Sequence, residues 1–280
     1  VLTIRFERGA VGRRASLAVV CAALALLSAS CRQASEAIAP PPETATRTYK
    51  KDLPGCGDRT RREEPCLTFS ASWVELKSGS APEVLARINT AVEALMHPVP
   101  DAPRSLEEEA AQFAGAYQKL KSEHAEMTQT WFDRRGADVL LNDGKIFSVS
   151  VERKHYNGGP HVEESTRLLS FRLSDGQPLQ LSALLAPEAV EKFEKMAEKR
   201  LRRDRGIAPE EPFSDYAIQP QPGDFANCAD IGVLPKGLLI HFDAGRIAYL
   251  AVGAIDITFP WEEMAPLLRA GTPLAHLTGR

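Results

Sequence analysis

Apolar positions change their spacing several times along this chain. Residues 15–30 hold only small or apolar side chains apart from Ser16, Ser28 and Ser30, with no polar face. Within Cys66–Leu76, Leu67, Phe69 and Trp73 supply the apolar content of a strand, since residues two apart share one face of a pleated chain. Leu85, Ile88, Val92 and Leu95 then recur at helical spacing. A helix is predicted over Ala81–Met96, opened by a Ser80-x-x-Glu83 capping box and closed at His97-Pro98. Ser105 and Glu108 open a second helix, whose stripe is Leu106, Ala110, Phe113, Tyr117 and Leu120 and whose end falls near Ser122.

The period then becomes two. Strands are predicted at Met127–Phe132, Ala137–Leu141, Ile146–Tyr156, Arg167–Leu173 and Leu179–Leu181. Phe147, Val149 and Val151 alternate with Ser148, Ser150 and Glu152, the pattern of a half-buried strand. Asn142-Asp143-Gly144 and Ser174-Asp175-Gly176 read as hairpin turns. Pro187 opens a helix with Val190, Phe193, Ala197 and Leu201 on one face. Leu238–Phe242, Ile247–Val252 and Ala254–Phe259 are late strands, and Pro260-Trp261-Glu262-Glu263 begins a short helix through Leu268. The fold class is α+β: an antiparallel sheet with helices packed against it. The globular region begins at about Thr48, with an N-terminal half over 48–153 and a C-terminal half over 154–280.

The apolar run of 15–30 follows Arg5, Arg8, Arg13 and Arg14, as in a secretory signal, and is too short to span a bilayer. It ends Leu27-Ser28-Ala29-Ser30-Cys31, which resembles a bacterial lipobox with its leucine displaced by one position. The resemblance implies cleavage before Cys31, acylation of its thiol and a membrane partner reached through that lipid anchor. Arg32 is not the Asp that resembles an inner-membrane retention signal, so the outer membrane is favoured. Residues 31–47, with Pro40-Pro41-Pro42 and no periodicity, read as a tether. An oxidising envelope favours a Cys56–Cys66 disulfide across a short charged loop, leaving Cys228 free.

Composition, at 44% hydrophobic and 25% charged, suits a globular core. Loss of the basic signal takes the net charge from −3 to −6. An acidic chain with no broad basic face is not expected to partner nucleic acid. Arg200, Arg202, Arg203 and Arg205 are expected at a solvated helix end, where cations complement the macrodipole.

Tyr156-Asn157-Gly158-Gly159-Pro160-His161, the Asp175-Gly176-Gln177-Pro178-Leu179-Gln180-Leu181 turn, Gly237-Leu238-Leu239-Ile240-His241-Phe242 and Ile257-Thr258-Phe259-Pro260 occur in an order that resembles an extracellular domain family of largely unknown function. That family is found in lysozyme-sensing anti-sigma factors and beside the catalytic domain of peptidoglycan deacetylases. The resemblance spans about Cys66 to Leu277 and implies a stand-alone ligand-binding domain, with a lysozyme-like hydrolase or peptidoglycan as partner.

For chemistry, the sequence offers the loop Tyr156, Gly158, Gly159, His161 and Glu163. His155, His161 and the following glutamates match no zinc motif, and no G-x-S-x-G elbow or phosphate loop is present. The two glycines are expected to supply unusual backbone angles, and His161 to hydrogen-bond within the turn. Trp73, Trp131 and Trp261 are expected in or beside the core rather than as sugar platforms. No catalytic residue, metal or cofactor is assigned. The leading expectation is a non-enzymatic envelope lipoprotein. The alternatives are a polysaccharide-acting enzyme with its site at this loop, or a structural envelope-assembly lipoprotein.

Overall fold

Strands β1 (Thr44–Asp52), β2 (Leu67–Leu76), β3 (Trp131–Asn142), β4 (Ile146–Tyr156) and β5 (Glu163–Arg172) form one sheet in that spatial order. This is a computed structural model, and it describes residues 40–53, 67–97, 105–127 and 129–279. Cys31, Cys56 and Cys66 lie outside the described residues, as does the segment read as a signal. Three of the four pairings are antiparallel, while β2 and β3 run parallel. A parallel pair needs a long crossover, and helices α1 (Pro82–Ala94) and α2 (Leu106–Glu123) provide it. Thr44–Arg47, expected in the tether, pair with β2 instead.

The capping box of α2 forms: Ser105 Oγ accepts the Glu108 N–H at 3.2 Å, and the Ser105 N–H donates to Glu108 Oε2 at 3.0 Å. The box expected at Ser80 does not form. Ala81 is the cap of α1, Pro82 presets the first turn, and Ser80 Oγ donates to the Leu173 carbonyl at 3.2 Å. Ile88 and Val92 of α1 and Ala110 of α2 bury against Phe69, Phe147 and Phe171 on one face of the sheet.

A second sheet, β6 (Ile231–Leu234), β7 (Gly237–Phe242) and β8 (Ile255–Pro260), packs on the opposite face. Buried Ser148 and Ser170 join the layers. Both hydroxyls accept the Val233 N–H at 3.0 Å, and Ser170 Oγ donates to the Ile231 carbonyl at 3.0 Å. Helix α4 (Val190–Arg205) lays Phe193, Ala197 and Leu201 on this second sheet, with the Phe193 ring 5.0 Å from that of Phe259. The expected strand at Leu179–Leu181 is instead the approach to a one-turn helix, α3 (Leu181–Leu184). Ile247–Val252 is not a strand either: Ala248 makes one isolated bridge to Ile218, and a 3-10 turn follows. The short helix α5 (Trp261–Met264) starts at Pro260 as expected.

Strand β5 is a sheet edge, and side chains cap it. Asp243 Oδ1 accepts the Thr166 N–H at 2.8 Å and Asp230 Oδ1 accepts that of Leu168 at 3.1 Å. Such capping blocks pairing with another chain. Among the described residues, no helix is long and apolar enough to cross a membrane.

Candidate functional site

The middle of β3, Asp133-Arg134-Arg135-Gly136, reads as a break between two strands but is continuous strand. Asp133 and Arg135 point under α2 and are almost fully buried. Arg135 forks onto Asp133, through Nε at 2.9 Å and Nη2 at 3.1 Å. Arg153 of β4 forks onto the same carboxylate at 3.3 and 2.7 Å, and His155 Nδ1 lies 3.1 Å from it. Burial works against the Asp133 charge, but hydrogen bonds from His155, Arg135 and Arg153 together hold its carboxyl well below the ordinary range. Arg135 Nη1 continues to Glu109 Oε2 at 2.6 Å and to the Met96 carbonyl, and Glu109 Oε1 meets His97 Nδ1 at 2.5 Å. The chain of charges ties the end of α1, the first turn of α2 and two strands into one unit. Arg135 spends its donors on Asp133, Glu109 and the Met96 carbonyl, which makes the unit a scaffold.

Beside this unit, β1, β2, α1 and α2 enclose an open cleft of about 590 Å³. Arg47, Tyr49, Trp73, Glu75, Glu93 and Glu107 line it. Glu75 takes Arg47 at 2.5 Å and Lys77 at 2.6 Å, and these partners hold its carboxyl down at about 2. Glu93 and Glu107 are exposed and have no hydrogen-bond or close ion-pair partner among the described residues. The rim therefore carries an excess of acid groups, with Arg47 near enough to act electrostatically on Glu93.

The loop singled out in the sequence is the β4–β5 hairpin, and its members do not converge. Tyr156 lies on the sheet face away from α1 and α2, its ring 5.9 Å from that of Phe132. Gly158 has φ +87°, and a Cβ there would come within 2.9 Å of Trp131 Nε1, so only glycine fits. Gly159 shows no positive φ, contrary to expectation. His161 is exposed and makes no hydrogen bond within the turn, because the turn projects it into solvent. Glu163 pairs with His155 along the backbone, while the His155 ring turns to Asp133 instead. Trp131 and Trp261 are buried and Trp73 is half-buried, as expected of core and rim aromatics.

Sequence and structure comparisons place the second layer. Residues 182–262, from α3 through the start of α5, match the model of a family described as "Protein of unknown function (DUF3298)". The chain is similar to the solved structure of a DUF3298 family member from Bacteroides fragilis NCTC 9343, at 14% identity and TM-score 0.67, covering 86% of this chain and 100% of that one. It is also similar to a DUF3298 family protein from Pseudomonas aeruginosa PAO1, at 15% identity and TM-score 0.56, covering 83% and 97%. These likenesses extend the shared fold beyond the DUF3298 match into the five-stranded sheet. No curated protein matches the chain.

Within the matched residues 182–262, His241 is buried with Nδ1 2.6 Å from Asp256 and Nε2 3.0 Å from Asp243. Burial opposes its charge, but the two carboxylates outweigh burial and raise its pKa. Since Asp243 also accepts Thr166, the imidazolium braces β7 and β8 against β5. Cys228 is buried, and desolvation pushes its thiol up to about 11, where it is inert. Arg200 is half-buried between Glu263 and the Thr258 carbonyl, and Arg202 between Glu198 and the Glu211 carbonyl, so two of the four arginines expected to be solvated are structural. Among the described residues, no group of three or more His, Cys, Asp or Glu is placed to hold a metal ion.

Proposed function

We propose that this protein is exported, anchored in the bacterial envelope through a lipid on Cys31, and binds a ligand without transforming it. The ligand class is a basic protein, with a lysozyme-like hydrolase as the sharpest candidate. The observation that carries the reading is the acidic cleft, where Glu93 and Glu107 stand unpaired at the rim of a space of about 590 Å³. Unpaired carboxylates attract a basic partner over distance and then order its contact. The mature charge of −6 acts in the same direction. The dispersal of Tyr156, Gly158, His161 and Glu163 over different surroundings supports binding over catalysis at that loop.

The test is calorimetric titration of the detergent-solubilised full chain with hen-type lysozyme at low and physiological salt. Saturable binding that weakens with salt is expected. Heat without saturation, or no heat at either salt, would remove this ligand.

A further inference from the structure

We propose that Asn157 is a site of spontaneous covalent modification, where its side-chain amide closes onto the Gly158 nitrogen and is converted to aspartate and isoaspartate. Three features of the β4–β5 loop meet at this pair. The last paired residues of the hairpin are His155 and Glu163, so residues 157 and 158 lie outside the ladder. Asn157 is exposed, and neither its side-chain amide nor the Gly158 N–H makes a hydrogen bond among the described residues. Gly158 brings no Cβ to crowd an approach to its nitrogen. It cannot be exchanged for a bulkier residue either, because a Cβ there would come within 2.9 Å of Trp131 Nε1. The packing of Trp131 thus keeps a glycine directly after an unheld asparagine.

The reaction needs only water. The Gly158 nitrogen gives its proton to solvent base, and its electron pair adds to the Asn157 side-chain carbonyl carbon. The bond from that carbon to the side-chain nitrogen breaks, and ammonia leaves with a proton returned from solvent. A succinimide ring remains. Water then opens the ring. Attack at the side-chain carbonyl releases the Gly158 nitrogen to the ordinary peptide bond and gives aspartate. Attack at the main-chain carbonyl leaves the chain linked through the side chain and gives isoaspartate. No oxidant or reductant enters, and either product carries a carboxylate where the amide was neutral. Closure is intramolecular, so a side chain free to rotate and a nitrogen free to attack are enough. The other three asparagines of the chain are held. Asn89 Oδ1 accepts the Leu76 N–H at 2.8 Å, and its Nδ2 donates to the Leu76 carbonyl at 2.9 Å. Asn142 Nδ2 donates to the Pro42 carbonyl at 2.9 Å and Asn227 Nδ2 to the Gly223 carbonyl at 2.9 Å. Each is followed by a residue with a Cβ, namely Thr90, Asp143 and Cys228. The fold therefore singles out Asn157.

No residue of this loop lines the acidic cleft, so the chemistry is independent of the ligand proposed there. The experiment incubates the detergent-solubilised full chain, folded, at pH 6 and pH 8. Peptide mass mapping follows each asparagine, and labelling by an isoaspartyl methyltransferase reports the isoaspartate. The same chain unfolded in urea gives the reference rate at each site, which removes the effect of the neighbouring residue. Asn157 is expected to convert first, at a folded rate within about tenfold of its unfolded rate, while Asn89, Asn142 and Asn227 convert more than about tenfold more slowly folded than unfolded. Conversion at Asn157 should be faster at pH 8 than at pH 6, because the deprotonated nitrogen attacks. Asn157→Gln, which must close a larger ring, should lower conversion at this position at least about tenfold. Its urea midpoint reports whether it folds, and the wild-type comparison decides without it if it does not. Folded conversion of Asn157 more than about tenfold below its unfolded rate, or another asparagine converting first, would overturn the proposal. Equal rates at the two pH values, or an unaltered rate in folded Asn157→Gln, would overturn it too, as hydrolysis without ring closure.

Discussion

Substituting Asp133→Asn removes the one carboxylate that two guanidinium forks and an imidazole share. Asp133 is almost fully buried and accepts from Arg135 at 2.9 and 3.1 Å and from Arg153 at 2.7 Å. The amide keeps the shape but brings a donor to face donors, and Arg135 is left with Glu109 alone as counter-ion. Breaking a buried ion pair from one side costs about 3–5 kcal/mol. A chain of this size loses about 2–4 °C of melting temperature per kcal/mol, so a fall of roughly 6–20 °C is expected. The pH dependence has a definite sign. The folded carboxyl titrates below its unfolded value near 3.9, so the stability it contributes is complete above about pH 5 and is lost as pH falls. Urea unfolding at pH 7, 5 and 3.5 should show a steep acid loss in the wild type and a shallower one in Asp133→Asn. Adding Arg153→Met to Asp133→Asn should cost less than the sum of the single changes, because one stranded cation disappears. An unchanged midpoint at pH 7, or equal acid slopes in both proteins, would refute this account of the buried charges.

Three further outcomes follow from other parts of the molecule. Cys228, with its thiol raised to about 11 by burial, should resist Ellman's reagent in the folded protein and react at once in urea; fast native reaction would contradict the burial. His241 has a raised pKa when folded, so its contribution is complete below about pH 6.5 and is lost as pH rises through the folded value. Unfolding free energy measured from pH 6 to 9 should therefore decline less in His241→Gln than in the wild type. Ser105→Ala should cost about 0.5–2 kcal/mol by urea titration, whereas Ser80→Ala removes no cap of α1, only the bond to the Leu173 carbonyl.

How far these features are legible in the sequence depends on whether their cause is local. The stripes of α1 and α2 and the Ser105–Glu108 box are local patterns, and the structure places them as read; the alternation in β4 is a strand as read, but Ser148 and Ser150, expected on an open face, are buried under the second sheet. The centre of β3 is not local: four polar or small residues resemble a loop, and they stay in the strand because Arg153, His155 and Glu109 arrive from other elements to neutralise them. The spacing Asp133-x-Arg135 and Arg153-x-His155 is a usable signal, since period two puts each pair on one face. Strand β1 carries little apolar content because an edge strand buries little, so it blends into the Pro/Thr segment before it. Strand β6 is four residues long, too short for a period to show. Ile247–Val252 has strand-like residues, but Gly245 and Gly253, at φ +85° and +81°, turn the chain on either side. The candidate cleft depends on register. Arg47 and Trp73 are far apart in sequence and meet only once strand pairing is known.

The acidic cleft is the centre of the functional reading, and reversing its charge tests it most directly. The measurement is the affinity of hen-type lysozyme for the full chain and for the double variant Glu93→Lys, Glu107→Lys, both checked for an unchanged urea midpoint. The two carboxylates are exposed and outside the buried charge unit, so the variant is expected to fold as the wild type does. The account requires saturable, salt-sensitive binding to the wild type and a loss of at least about tenfold in the variant. Equal affinity in both, or no binding to the wild type, would contradict it.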